Sequence, residues 1–117
     1  MFRQRLNDLR GAVSGARAVC LAAGDGIAID SVGGEDLDLE VLAAEMVSMA
    51  TGIGTEQRGL QIGDASRLEV ATDAYAVILT RVRESYYLLL VVEAGHPLGR
   101  ARFEMRRAAL DFQDDLV

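Results

Sequence analysis

Three apolar runs, RLEVAT, AYAVILTRV and SYYLLLVVE, follow one another after Ser66 with little more than a turn between them. Only Asp73-Ala74 and a short turn around Arg83-Glu84 separate them, which leaves no room for crossover helices, so the spacing predicts an antiparallel meander. The first run alternates, Leu68 and Val70 against Arg67, Glu69 and Ala71, as a half-buried strand at a sheet edge does. The last, Tyr86 to Val92, is apolar on both faces and belongs at the centre of the sheet, with helices covering each side.

Upstream, the run AVCLAA from Ala18 is too short for a helix, and after GDG the text resumes as IAIDSV, with Ile27 and Ile29 alternating against Ala28 and Asp30. The whole stretch GDGIAIDSVGG, Gly24 to Gly34, could be read as a phosphate cradle or as a turn between strands. A phosphate loop needs a strand, then glycines, then a helix whose first amides meet the anion; here a strand follows the glycines, and the chain has no lysine to complete a P-loop. Asp25-Gly26 is instead a hairpin signal, with both residues tolerating positive φ. Gly33-Gly34 do precede a helix, but Glu35, Asp36 and Asp38 would fill its first turn with charge that suits the dipole and repels phosphate.

That helix, expected to begin near Asp36, reads DLDLEVLAAEMVSMATGIG. Leu39, Leu42, Ala43, Met46, Met49, Ala50 and Ile53 fall on one side at helical spacing and form the expected core stripe. The opposite side carries Leu37, Val41, Ala44, Ser48 and Gly52 where a solvated helix would carry charge. Ala44, Ser48 and Gly52 recur every four residues, and small residues at that spacing let another backbone approach closely. Two readings follow, a partner-facing surface or a helix buried within its own domain; in so small a domain the first is favoured. Gly52 and Gly54 loosen the end of this helix, and the course through EQRGLQIGD stays open. At the termini, Phe2, Leu6, Leu9 and Val13 mark a short amphipathic helix, and LGRARFEMRRAALDF predicts a closing helix with Leu98, Phe103, Met105 or Arg106, Ala109 and Leu110 inward.

With 117 residues, half of them apolar, the chain is expected to be one domain, 1–117, with a single well-filled core. The net charge is −6 and all twelve basic residues are arginines, spread without aromatic interleaving, so nucleic acid is not an expected partner. No signal peptide and no apolar run of about eighteen residues is present, which predicts a cytoplasmic protein without membrane insertion. Cys20 sits in an apolar strand and His96, the sole histidine, beside a proline; both read as structural. Asp25 and Asp30 flank a hairpin, and turn chemistry already accounts for them. GIG at Gly52 lacks the third glycine and the strand of a dinucleotide fingerprint. No catalytic residue, cofactor or metal site is expected. Arg58 follows the long helix and could act in trans on a phosphoryl transfer, although a solvated surface arginine is the plainer reading. Together with Glu45 and Glu56 it completes the candidate partner-contacting charges.

The order helix, hairpin, long helix, three-stranded meander, helix, with GDGIAIDSVGG after a strand, LEVLAAEMVSMA, SYYLLLVVE and HPLGRARFEMRRAA, resembles the roadblock / dynein light-chain family over nearly the whole chain. The resemblance implies an α/β sandwich of the roadblock/profilin-like kind: a five-stranded antiparallel sheet with the long helix on one face and the N- and C-terminal helices on the other. It also implies a homodimer or paired heterodimer in which the long helices pack together and the edge strand pairs with its counterpart. The dimer interface then falls on Val41, Ala44, Ser48 and Gly52 and on Arg67, Glu69 and Ala71. Bacterial, MglB-like members act on small Ras-like GTPases in polarity or motility, and the lysine-free, alanine-rich composition suits a bacterial origin. The chain stops at Val117 without the longer tail of some MglB-like proteins, so binding to a GTPase or a roadblock paralogue is the firmer expectation than GTPase activation. A scaffold indifferent to nucleotide is the alternative.

Overall fold

The structure, a computed structural model, describes residues 2–53 and 65–116. In chain order it contains α1 (Phe2–Ala12), β1 (Ala16–Ala23), β2 (Ala28–Gly33), α2 (Leu39–Ile53), β3 (Arg67–Ala71), β4 (Tyr75–Val82), β5 (Tyr86–Glu93) and α3 (Gly99–Gln113). The strands form one antiparallel sheet in the order β2-β1-β5-β4-β3. β5, the run apolar on both faces, lies at its centre, and β3, the alternating run, lies at an edge, as their patterns predict.

Side-chain alternation divides the core in two. Leu88, Leu90 and Val92 of β5 face α1 and α3, where they meet Val19, Leu21, Ile78, Leu6, Met105 and Phe112. Tyr87, Leu89 and Val91 face α2 with Ala18, Cys20, Ala22 and Leu79. Leu88, Leu89 and Leu90 are fully buried, each contributing about 1.5–3 kcal/mol against the entropy of ordering the chain. Along β1 the small residues Ala18, Cys20 and Ala22 all turn to the α2 side. With Ala43 and Ala50 of the helix opposite, they let α2 lie close to the sheet.

The glycine-rich segment is a hairpin, with a longer loop than Asp25-Gly26 alone would make. Ala23 N–H donates to the Ile27 carbonyl at 2.9 Å and Gly26 N–H to the Ala23 carbonyl at 2.9 Å. Asp25 Oδ1 accepts from Ile27 N–H at 3.1 Å, and of the turn residues Gly24, Asp25 and Gly26 the last, at φ 90°, takes the left-handed conformation. This is a three-residue loop whose last position requires glycine.

α2 starts at Leu39, three residues later than Asp36. Gly34 and Leu37 close a turn (N···O 2.8 Å), and Asp38 caps the helix, its Oδ1 accepting from Val41 N–H at 3.2 Å. Glu35 and Asp36 therefore lie outside the first helical turn. Asp36 instead meets Arg17 of β1, whose guanidinium also reaches Glu93, at 2.7 and 2.9 Å. The hydrogen bond from Arg17 holds the Asp36 carboxyl below the usual carboxylate range.

Two helix faces differ from expectation. In α2 the buried residues are Leu39, Ala43, Met46, Val47 and Ala50, with Leu42 partly buried; Val47 replaces Met49, which is exposed. In α3 they are Ala101, Glu104, Met105, Ala109 and Phe112, while Phe103 and Leu110 stand in solvent. The helix crosses close to the sheet on its alanines, and the bulky pair is turned out.

Candidate interaction surface

The sheet-facing side of α2 is satisfied within the chain, and its opposite side is apolar and open. Val41 is 55% exposed and Met49 44% exposed, with Ala44, Glu45 and Ser48 exposed between them. Gly52 is half-buried at the end of the same face. Isolated exposed apolar residues need no explanation, but a helix that presents them along its length has the character of an interaction surface.

The β1–β2 hairpin borders this face. Gly26 lies so close to α2 that a Cβ built there would stand 3.1 Å from Ala44 Cα and 3.6 Å from Val47 Cβ. The absence of a side chain at Gly26 thus lets the chain's own hairpin approach the backbone of α2 at Ala44. Ile27, next along, is 67% exposed and adds to the apolar character of the hairpin tip.

β3 supplies a second open feature. Arg81 N–H donates to the Ser66 carbonyl at 3.0 Å and Thr72 N–H to the Tyr75 carbonyl at 2.7 Å. Alternation between these two pairs turns the backbone polar groups of Leu68 and Val70 toward β4 and those of Arg67, Glu69 and Ala71 to the open edge. Their side chains lie on the α3 side of the sheet. Glu69 Oε1 accepts from Arg102 Nε of α3 at 2.7 Å, so its carboxylate is engaged within the chain. Leu68 and Val70 pack half-buried on the α2 side. The segment holding Glu56 and Arg58 lies outside the described residues.

The residues weighed for chemistry are occupied locally. The His96 ring packs over Gly15, with Ser14 Oγ 3.3 Å from Nδ1. Asp30 Oδ1 accepts from Arg3 at 2.7 Å and from Ser31 N–H at 2.9 Å. Cys20 is fully buried, and desolvation, reinforced by Asp30 and Glu40, pushes its thiol from 9.0 up to about 11. Among the described residues no group of three or more His, Cys, Asp or Glu is placed to hold a metal ion, and no helix is long and apolar enough to cross a membrane. One buried acid escaped the sequence reading: Glu104, 7% exposed, with Oε1 3.4 Å from Arg100 and 3.8 Å from Arg107. The i−4 and i+3 arginines around it were the available signal.

No protein-family model matches the sequence, and no curated protein matches it. Solved structures do. The chain superimposes on a roadblock/LC7 domain from Streptomyces avermitilis with a TM-score of 0.85 at 16% identity, covering 97% of this chain and 95% of that one. It superimposes on MglB in a tetrameric arrangement with a TM-score of 0.83 at 19% identity, covering 96% of this chain and 85% of that one. The gliding protein MglB of Thermus thermophilus gives a TM-score of 0.82 at 17% identity with the same coverage, 96% and 85%. Strand order, the placement of one long helix opposite two terminal ones, and these superpositions lead to one conclusion: the chain has the roadblock/LC7 fold, in the form shared with MglB.

Proposed function

We propose that this protein is a single-domain, non-enzymatic, dimeric regulator. It pairs with itself or a roadblock paralogue through α2 and the β3 edge and binds a small Ras-like GTPase, or that GTPase's regulatory complex, in bacterial polarity or motility control. The observation that carries the proposal is the open apolar face of α2, where Val41 and Met49 are about half exposed on a helix already packed against its sheet. Pairing two such faces removes apolar area from water, and adding a strand at β3 satisfies the outward groups of Arg67, Glu69 and Ala71. The tetrameric arrangement recorded for MglB and its description as a gliding protein support association and a motility setting. A composite surface made by two helices biases a GTPase by favouring one switch conformation, with no catalytic residue supplied. Glu45, Glu56 and Arg58 are the proposed charged contacts of that surface, and the cytoplasm is the proposed location.

The test is a pull-down of the tagged protein from its own cell lysate with a non-hydrolysable GTP analogue and, in parallel, with GDP. Capture of a Ras-like GTPase with the analogue alone is expected. In the same assay Ser48→Arg, which places a bulky charge at the centre of the α2 face, should yield a monomer by sedimentation and lose the GTPase together. A monomeric variant that still bound the GTPase would overturn the composite-surface reading. Capture of a roadblock paralogue equally with both nucleotides would favour the scaffold instead.

A further inference from the structure

The twelve arginines are not evenly used. On the α1 side of α3, Arg100 and Arg107 share the buried carboxylate of Glu104. On the β3 side, Arg102 and Arg106 border a groove of about 450 Å³ with Arg67, Arg81 and Thr80. Among the described residues, the carboxylate that meets Arg102 is Glu69, bonded to it at 2.7 Å. Arg81 donates to the Glu84 carbonyl at 3.3 Å, while Arg67 and Arg106 are exposed and have no ionic partner among the described residues. Arg67, Arg102 and Arg106 thus bring positive charge together along one groove of a chain whose net charge is −6.

The same border carries bulky apolar surface. Leu110, 59% exposed, lines the groove itself, and Phe103, equally exposed on α3, lies between Arg102 and Arg106 in sequence. Arginine interleaved with exposed aromatic and aliphatic side chains is the composition of binding surfaces, and planar guanidinium groups match carboxylates in a bidentate manner. Nucleic acid would bring further phosphates against a strongly acidic protein, whereas a short segment need touch only the groove.

We propose that the groove between α3 and β3 docks an acidic peptide segment of a partner protein, carboxylates on Arg67, Arg102 and Arg106 and one bulky apolar side chain against Leu110. The site lies on the sheet face opposite α2 and shares Arg67 with the proposed pairing edge, the groove using that residue's side chain and the edge its backbone. The test uses a fluorescein-labelled Glu-Glu-Leu-Glu-Glu peptide with the full-length protein, read by anisotropy at about 50 and about 300 mM salt. Saturable binding that weakens with salt is expected, and Arg67→Gln with Arg106→Gln should raise Kd about tenfold or more. Neither residue has an intrachain ion pair among the described residues, so circular dichroism should show an unchanged fold, and sedimentation reports the assembly state separately. Absence of saturable binding, equal binding by the double variant, or equal binding when serine replaces the peptide's leucine would overturn the proposal. Displacement of the peptide by inorganic phosphate at the peptide's own concentration would overturn it too, marking a small-anion site.

Discussion

Replacing Gly26 with alanine tests whether the tip of the β1–β2 hairpin is seated on α2. Gly26 has φ 90°, and Gly95, in the loop before α3, has almost the same backbone at φ 92°. A Cβ at Gly95 would meet nothing within 4 Å, whereas at Gly26 it would meet Ala44 Cα at 3.1 Å and Val47 Cβ at 3.6 Å. Gly95→Ala therefore isolates the left-handed conformation, about 1–2 kcal/mol, offset by about 0.4–1 kcal/mol from the freedom the unfolded chain loses. Gly26→Ala carries the same terms and adds a contact with backbone that no rotamer change relieves, about 1–3 kcal/mol by analogy with overpacked cores. Urea unfolding of both variants at one protein concentration measures the difference, with Tm separating by about 4 °C per kcal/mol in a domain of this size. If Gly26→Ala proved no less stable than Gly95→Ala, the hairpin would not be packed on α2, and the border drawn for the apolar face would be wrong.

Two further outcomes follow from local geometry. Asp38→Ala removes the cap on Val41 N–H and should cost about 0.5–2 kcal/mol in the same unfolding assay; an unchanged midpoint would mean that the start of α2 is held by other contacts. The Cys20 thiol, raised by burial from 9.0 to about 11, should be inert to a thiol reagent at pH 8 in the folded protein and reactive once unfolded. Because the folded value is the higher one, the thiol's contribution to stability is complete below about pH 9 and is lost as pH rises toward 11. Equal reaction rates for folded and unfolded protein would contradict the burial.

The strands were legible because their period is two. β3 announces itself as an edge by alternating, and β5 as a centre by being apolar throughout, and both patterns report burial directly. Helix phase was less legible. Since α2 is apolar nearly all round, its periodicity has no unique maximum, and the choice of Val47 over Met49 for the interior depends on where the sheet's small residues lie. In α3 the alanines pack inward with Phe112, and Phe103 and Leu110 are left outside, a trade of size for close approach that hydrophobicity alone does not rank. The candidate α2 face was readable as small and apolar residues at a four-residue repeat, but that the hairpin borders it through Gly26 was not.

By itself the sequence determined the elements, their order, the central and edge strands and the one helix with two apolar sides, because these depend on spacing along the chain. Tertiary structure alone decided the final phase of α2 and α3 against the sheet, where α2 begins, and which arginines gather beside β3. Arg17 and Asp36, Glu69 and Arg102, and Gly26 and Ala44 lie 19, 33 and 18 positions apart, and they meet only because the sheet and its helices bring them together.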